Sequence, residues 1–253
     1  MNYIDMGQGE TLVFVHGFSS NKESWTCQFD LAENYRLIIP ELRGHGKSEV
    51  FEDISIQQFA KDVLDLLDEL NIDKAHFCGL SMGGIIVQEI YRQQPHRVSS
   101  LILSNTFSHI SNVFNRLFTF YINYRLKKYA KMDGDEIISK AVKRIIYNNK
   151  NEELIENAKS ALTYNEKGYA NTLLSLPKGF SYLNMLSTIK VPILIIGSKN
   201  DKLAPVWYAK QSYRNANKSK AELHIFDKAG HLPNIEHKEK YNQKLLEFLQ
   251  TVC

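Results

Sequence analysis

The sequence predicts an α/β fold, in which a mostly parallel central sheet is flanked by helices and carries an inserted helical segment. Short apolar runs rich in β-branched residues alternate with longer amphipathic stretches through residues 1–106, and the alternation resumes after residue 186. Strands that are apolar on both faces are typical of a parallel sheet covered by helices on both sides. The length of 253 residues suits one such domain enlarged by an insertion.

The apolar runs and the helical patterns give the order of the elements. The first long helix begins after Ser55, a favourable N-cap residue, and repeats apolar side chains at helical spacing as far as Leu70. The second begins near Met82 and ends before Pro95, which cannot continue a helix. Strands are expected at residues 2–4, 11–15, 35–39, 75–78, 98–103, 191–196 and 221–226, and two further helices at 205–215 and 236–249.

Residues 107–186 interrupt this alternation with 80 residues of helical periodicity and no convincing strand. The segment contains 12 Lys and Arg against 7 Asp and Glu, a balance of +5, which leaves −2 for the rest of the chain. It also holds 12 of the 28 aromatic residues. We therefore predict a sheet core formed by residues 1–106 and 187–253, with residues 107–186 inserted as a helical cap.

Composition and charge exclude several classes of protein. A hydrophobic content of 43% argues against disorder, and a net charge of +3 is too small for the clustered basic footprint of a nucleic-acid-binding protein. Three widely spaced cysteines without a CxxC pair make a disulfide framework or a zinc site improbable. The N-terminus lacks the pattern of a signal peptide, and no apolar run approaches the ~20 residues that span a bilayer. We expect a cytoplasmic protein that uses no metal.

The strongest motif is Gly79-Leu80-Ser81-Met82-Gly83, which lies directly after a predicted strand and directly before a predicted helix. A serine in such a strand-to-helix turn adopts a strained conformation, and the backbones pack too closely around it to admit a Cβ at the two glycines. Ser81 is therefore the candidate nucleophile. The alternative is a glycine-rich turn in which the serine is incidental.

A serine nucleophile needs a base, and the base needs an acid that orients it. Asp201 and His231 each follow a predicted strand downstream of Ser81, so both are expected at the sheet edge that carries the serine. The stretch 104–106 reads Ser-Asn-Thr after the preceding strand and offers no carboxylate, which favours Asp201 as the acid. Asp201 alone is equally consistent with a turn-forming aspartate, and a lone histidine is more often structural than catalytic.

The third part of a hydrolytic site is a group that stabilises a developing oxyanion. The loop His16-Gly17-Phe18 follows the strand at 11–15 and can offer a backbone N–H, and the N–H of Met82 at the start of the second helix is the other candidate. Taken alone, His16-Gly17 is equally an ordinary turn at the end of a strand.

These segments together resemble the α/β-hydrolase superfamily, in the branch of carboxylesterases, 3-oxoadipate enol-lactonases and cofactor-free haloperoxidases. The matching residues are Val15 to Phe18, Leu42 to Ser48, Gly79 to Gly84, Asp201 with Pro205, and Gly230 with His231. The resemblance implies an α/β-hydrolase fold with a helical cap, in which Ser81 is the nucleophile, Asp201 the acid, His231 the base, and Phe18 and Met82 the backbone oxyanion donors. Two departures are visible: Glu41 stands where the family usually has Asp, and the first edge strand of the family's sheet is expected to be missing.

The implied activity is cleavage of a small carboxylic ester, lactone or thioester through an acyl-enzyme, without a cofactor. Phe18 and Phe107 are the predicted substrate contacts. The alternatives are a ligand-sensing protein with little turnover, and a C–C bond hydrolase or lyase that uses the same triad. The basic cap favours an anionic substrate or an acidic acyl-carrier protein, or is simply a solvated basic face. No nucleic acid or membrane is expected as a partner.

Overall fold

The computed structural model of the protein describes residues 1–50, 54–175 and 180–252, with the side chains of residues 112–119 and 121 outside the description. Cys253 and three aromatic side chains of the predicted cap, those of Phe114, Phe118 and Tyr121, thus lie outside the described residues. The strands are β1 Asn2–Met6, β2 Thr11–Val15, β3 Arg36–Glu41, β4 Ala75–Leu80, β5 Val98–Ser104, β6 His109–Ile110, β7 Phe180–Ser181, β8 Ile193–Ser198 and β9 Ala221–Phe226. The α-helices are α1 Ile56–Glu69, α2 Met82–Gln93, α3 Asn112–Tyr129, α4 Gly134–Ile145, α5 Glu152–Ser160, α6 Glu166–Ser175, α7 Leu183–Thr188, α8 Trp207–Asn215, α9 Pro233–Glu236 and α10 Lys238–Gln250. Two 3-10 helices cover Lys22–Glu33 and Pro95–Arg97.

The central sheet has seven strands among the described residues, in the order β1-β3-β2-β4-β5-β8-β9. All neighbouring pairs are parallel except β1 and β3, so the carboxyl ends of six strands meet at one edge. Both faces of the sheet are buried. In β2, for example, Val13 and Val15 belong to one hydrophobic cluster, while Leu12 and Phe14 belong to the cluster on the opposite face. The predicted α/β class and the mostly parallel sheet are confirmed.

Two kinds of element were not predicted. The 3-10 helix at Lys22–Glu33 buries only scattered positions, among them Trp25 and Leu31, and so lacks the regular apolar spacing that marks an amphipathic helix. The strands β6 and β7 pair antiparallel within the segment where no strand was expected. At two residues each, they are too short to produce a recognisable alternation.

The inserted segment is attached to the sheet by three separate groups of contacts. Helices α4 and α5 contribute residues such as Val142 and Ala158 to one large core cluster, and α7 contributes Leu186 to the other. Helices α3 and α6 form a third, smaller cluster around Ile122 and Tyr169. The division into residues 1–106, 107–186 and 187–253 stays a prediction. Among the described helices, none has the length and hydropathy needed to cross a membrane.

Candidate active site

Ser81 lies between the last residue of β4 and the first residue of α2, with a left-handed φ of 55° and a ψ of −117°. The neighbouring glycines are sterically required. A Cβ on Gly79 would lie 2.3 Å from the carbonyl oxygen of Gly83, and a Cβ on Gly83 would lie 2.0 Å from that of Val15. The strained serine and its two glycines therefore form the sharp turn that the motif predicts.

The end of β5 and the residues that follow it hold this turn in place. The backbone N–H of Ser81 donates to the carbonyl oxygen of Ser104 over 3.0 Å. The hydroxyl of Thr106 donates to the carbonyl oxygen of Ser81 over 2.5 Å. A side chain and a backbone group from the neighbouring strand thus fix both peptide groups of the serine, which keeps its side chain at the sheet edge.

Asp201 and His231 form a direct pair at the same edge. The Nδ1 of His231 lies 2.7 Å from Oδ2 of Asp201, and because a carboxylate only accepts hydrogen bonds, Nδ1 carries the proton. Each residue is only 5% exposed. The other oxygen of Asp201, Oδ1, accepts the backbone N–H groups of Leu203 and Ala204 at 2.8 and 2.9 Å. The carboxylate therefore has donors on both oxygens.

These donors decide the charge of Asp201. Burial acts to raise the pKa of the carboxyl group, but the neighbouring His231 and the hydrogen bonds from His231, Ala204 and Asn105 outweigh it and hold the pKa below its usual range. Asp201 is consequently ionised at neutral pH and able to orient the imidazole of His231.

Asn105 is a site residue that the sequence did not reveal. It follows β5 in a left-handed conformation, with a φ of 43°. Its Nδ2 donates to Oδ2 of Asp201 over 2.8 Å and is also close to Ser198 Oγ at 3.0 Å and to the carbonyl oxygen of Gly230 at 3.3 Å. The segment after β5 has no carboxylate of its own. It supplies the amide of Asn105 to Asp201, which follows the neighbouring strand β8.

Glu236 is a second unpredicted residue, and it supports the loop that carries His231. Its Oε1 accepts the N–H of Gly230 over 2.8 Å, and its Oε2 accepts the N–H of Tyr147 over 2.6 Å. The N–H of His231 donates to the carbonyl oxygen of Ile145 over 2.6 Å. Burial raises the pKa of the Glu236 carboxyl group. Ile145 at the end of α4 and Glu236 at the end of α9 therefore hold the histidine loop between them.

The loop after β2 lies directly against the serine. A Cβ on Gly17 would be in contact with Cβ of Ser81 at 3.4 Å. His16 fixes the orientation of this loop: its Nε2 accepts the N–H of Leu42 over 3.1 Å, so its Nδ1 carries the proton and donates to the carbonyl oxygen of Gly17 over 2.8 Å. In a trans peptide the N–H of Phe18 points away from that oxygen, so His16 also sets the direction of this N–H.

The two predicted substrate contacts lie in different surroundings. The ring of Phe18 packs on Tyr169 of α6 with ring centroids 4.7 Å apart. The ring of Phe107 meets Tyr208 of α8 edge-on at 4.6 Å. Phe107 follows Thr106, the residue that donates to Ser81, whereas Phe18 follows Gly17. Each of the two residues thus directly follows a residue that lies against the serine, one after β5 and one after β2.

The sheet edge accordingly brings together the predicted site residues in two linked groups. Ser81 lies with Gly17, and Asp201 lies with His231. The last residue of β5 and the two residues after it connect the groups, because Ser104 and Thr106 bind the serine backbone while Asn105 binds Asp201. Met82 begins α2, so its N–H is among the first-turn amides that have no acceptor within their own helix. The same edge of the sheet thus carries a serine hydroxyl, an imidazole oriented by a carboxylate, and a first-turn amide of α2.

Comparison with known proteins identifies the family. A family model described as the alpha/beta hydrolase fold matches residues 10–238. The chain belongs to the α/β-hydrolases. The predicted resemblance is confirmed.

Relatives of this α/β-hydrolase differ in the reactions for which they are named. It is 29% identical over 248 residues to 3-oxoadipate enol-lactonase 1 of Acinetobacter baylyi, covering 95% of this chain and 89% of the relative. It is 27% identical over 258 residues to 2-hydroxy-6-oxo-6-phenylhexa-2,4-dienoate hydrolase of Burkholderia cepacia, covering 97% and 89%. A thermophilic esterase of Thermogutta terrifontis has a similar structure, with a TM-score of 0.87, 24% identity and coverage of 99% of this chain and 93% of the esterase. The similarity to the esterase shows that the two proteins share a fold.

The departure at Glu41 has a structural explanation in this α/β-hydrolase. The carboxylate accepts the N–H of Lys47 over 2.8 Å and the side-chain amide of Asn2 over 2.9 Å. Gly46 makes room for it, since a Cβ there would overlap the Glu41 carboxylate. The longer acid is thus bonded both to the loop after β3 and to β1. No group of metal-ligating side chains occurs among the described residues.

Proposed function

We propose that this α/β-hydrolase is a serine hydrolase that cleaves a small carboxylic ester, lactone or thioester. The observation that carries the proposal is the buried hydrogen bond of 2.7 Å between His231 and Asp201, at the sheet edge that holds Ser81 in its strained turn. An imidazole oriented by an ionised carboxylate is the base that a serine nucleophile requires.

In the proposed mechanism, Ser81 attacks the carbonyl carbon of the substrate while Nε2 of His231 accepts the hydroxyl proton. Asp201 holds Nδ1 and stabilises the imidazolium that forms. The N–H groups of Phe18 and Met82 receive the oxyanion, and His231 then protonates the leaving group. Water, activated by the same imidazole, releases the acid from Ser81. The loss of one oxyanion donor typically reduces the rate by about 10²–10³.

The names of the relatives bear on the substrate. The Acinetobacter relative is named for a lactone and the Burkholderia relative for hydrolysis of a dienoate. Both names denote acids, which fits a carboxylate-bearing substrate better than docking of a carrier protein. Cleavage of a C–C bond by the same residues is the second candidate, favoured by the Burkholderia relative.

We propose the cytoplasm as the location of the protein.

Labelling with a fluorophosphonate probe tests the triad. We expect covalent modification of wild-type protein at Ser81, located by peptide mass spectrometry. The Ser81→Ala variant should not be labelled, and His231→Ala should be labelled at least about 10²-fold more slowly, because the base is lost. Modification of another serine, or an unchanged labelling rate in His231→Ala, would contradict the assignment.

A substrate panel then separates the reaction types. p-Nitrophenyl esters, a five-membered enol-lactone, an acyl thioester and a vinylogous diketone are offered to wild-type protein and to Ser81→Ala. Ser81-dependent turnover of esters or lactones supports the proposal, whereas turnover confined to the diketone favours C–C cleavage. Labelling without turnover of any compound would favour a ligand-sensing role.

A further inference from the structure

Arg125 of α3 lies close to the candidate active site and is held there by aromatic rings. Helices α3 and α6 pack together, and their small hydrophobic cluster also contacts Phe18. Within it, the guanidinium carbon of Arg125 lies 5.0 Å from the ring centroid of Tyr129 and 5.5 Å from that of Tyr169. Both distances are within the range of a cation–π contact.

Two ring contacts connect this cation to the nucleophile. Tyr169 packs on Phe18 with ring centroids 4.7 Å apart, and Phe18 directly follows Gly17, where an added Cβ would touch Ser81. Two aromatic rings, those of Tyr169 and Phe18, thus lie in the series of contacts that leads from Arg125 to the serine loop. They offer apolar contacts to an acyl chain that extends from Ser81 towards the guanidinium.

Arg125 has donor capacity that the described part of the chain leaves unused. Its Nε is fully buried and has no hydrogen-bond acceptor among the described residues. The ion pairs formed by the described side chains do not include Arg125, in contrast to Arg36, Arg43, Arg92 and Arg97. Aromatic rings stabilise the charge of a guanidinium but provide no acceptor in its plane, and a buried N–H without an acceptor is costly.

A second unsatisfied polar atom lies on the facing helix. Thr172 follows Tyr169 by three residues on α6, so the two share one face of that helix. Its side chain is fully buried, and its Oγ1 has no partner among the described residues. A guanidinium N–H and a hydroxyl, both without a partner in the described part of the chain, therefore occur on two helices that pack together beside Phe18.

We propose that Arg125, assisted by Thr172, binds a carboxylate of the substrate, so that the substrate is an ester or lactone with a second, anionic end. This inference rests on the proposed function of Ser81. A carboxylate matches the planar fork of guanidinium donors and accepts a hydroxyl proton as well. The subsite selects for a negative charge at the end of the substrate that is distant from Ser81. The aromatic rings select for an apolar stretch between that charge and the reacting carbonyl group.

A matched pair of substrates tests the subsite. The p-nitrophenyl monoester of adipic acid and p-nitrophenyl hexanoate have the same chain length and differ in the terminal carboxylate. We expect the wild type to prefer the adipate monoester. Arg125→Gln should lower kcat/KM for the monoester by about 10- to 100-fold, mainly through a higher KM, because one charged hydrogen-bonded pair is lost. It should change kcat/KM for the hexanoate ester by less than about 3-fold. Arg125→Lys should recover part of the loss.

The matched control is Lys128→Gln, which removes an exposed charge from the same helix and should affect both substrates equally. An equal loss on both substrates in Arg125→Gln, or no preference for the monoester in the wild type, would overturn the subsite. Hydrolysis of the hexanoate ester by the same samples reports separately on Ser81. If neither ester is turned over, thermal stabilisation by adipate, present in the wild type and absent in Arg125→Gln, still tests binding, and its absence in the wild type overturns the proposal.

Discussion

At the scale of single residues, the amide of Asn105 is one of the groups that keep Asp201, the partner of His231, ionised. Its Nδ2 is one of the donors that keep the pKa of Asp201 below its usual range despite burial. A donor to the charged form stabilises that form, so removing the donor raises the pKa. The amide thereby extends the pH range over which Asp201 is ionised to more acidic values.

We therefore expect Asn105→Ala to reduce ester hydrolysis at neutral pH by about 10-fold, since a hydrogen bond to a charged group is lost. Because the pKa of Asp201 rises, the fall in kcat/KM on the acid side should begin at a higher pH. Asn105→Asp should move the onset of this fall to a still higher pH, since two carboxylates in contact cannot both ionise readily. The pH profile of kcat/KM from pH 4 to 8 is the measurement.

The control for this prediction is Ser198→Ala. Ser198 accepts from the same amide over 3.0 Å, and its hydrogen bond to that amide can be removed while the bond from Asn105 to Asp201 remains. Its profile should match that of the wild type. An acid limb in Asn105→Ala that coincides with the wild-type limb would show that the amide does not govern Asp201.

The difference between the predicted and the unpredicted site residues has a physical origin. Ser81, Asp201 and His231 were predictable because each stands at the end of a recognisable strand and belongs to a type that chemistry requires. Asn105 acts through a hydrogen bond to a residue 96 positions away, and any polar residue can follow a strand. Its role depends on β5 and β8 being neighbours, which a single sequence does not encode.

At the scale of elements, helix α6 approaches the loop after β3 so closely that the two backbones are in contact. A Cβ on Gly168 would lie 2.0 Å from the carbonyl oxygen of Gly44, which is in the loop after β3. The next residue is Tyr169, whose ring packs on Phe18. The absence of a side chain at Gly168 thus sets the distance between α6 and the loop after β3.

Gly168→Ala should push α6 away from this loop. We expect a loss of about 1–3 kcal/mol in the free energy of unfolding, the usual cost of overpacking, and a fall in ester hydrolysis as Tyr169 leaves Phe18. Gly134→Ala is the matched control, because a Cβ at Gly134 has its nearest neighbour at 3.6 Å and helix α4 gains up to about 1 kcal/mol in propensity. Urea unfolding and hexanoate ester kinetics measure both effects, and equal behaviour of the two variants would refute the argument.

Some elements and contacts can be predicted from the sequence, and others cannot. Strands such as β2, in which all five residues are buried, follow directly from continuous apolar runs. The packing of α3 to α6 does not, because periodicity identifies the apolar face of a helix without identifying what covers it. The close approach of Gly168 to Gly44 joins residues far apart in sequence and leaves no local pattern.

At the scale of the whole molecule, burial of both sheet faces places histidines where they cannot be charged. Burial, reinforced by the nearby His45, lowers the pKa of His16 to about 3, and burial lowers that of His45 to about 4. The two rings are 5.2 Å apart. An unfolded histidine titrates near 6.5. Between these values the unfolded chain binds protons that the folded chain does not.

Unfolding therefore takes up protons, and the free energy of unfolding must fall as the pH drops from about 6.5 to about 4. One proton contributes about 1.4 kcal/mol per pH unit once the unfolded residue is fully protonated, so His16 and His45 together give a slope of roughly 2–3 kcal/mol per unit. Glu236 acts in the opposite direction, since burial raises the pKa of its carboxyl group. Comparing variants that share Glu236 removes its contribution.

The expected result is that His45→Gln loses stability less steeply in acid than the wild type, by about 1 kcal/mol per pH unit, because one of the two protons is no longer taken up. His96→Gln, at an exposed turn before β5, is the control and should keep the wild-type slope. Urea titrations from pH 7 to 5 can be followed by tryptophan fluorescence, since Trp25 is fully buried in the fold. Parallel slopes for wild type and His45→Gln would mean that the neutral His45 does not limit acid stability, and the protonation of other buried groups would then have to account for any loss.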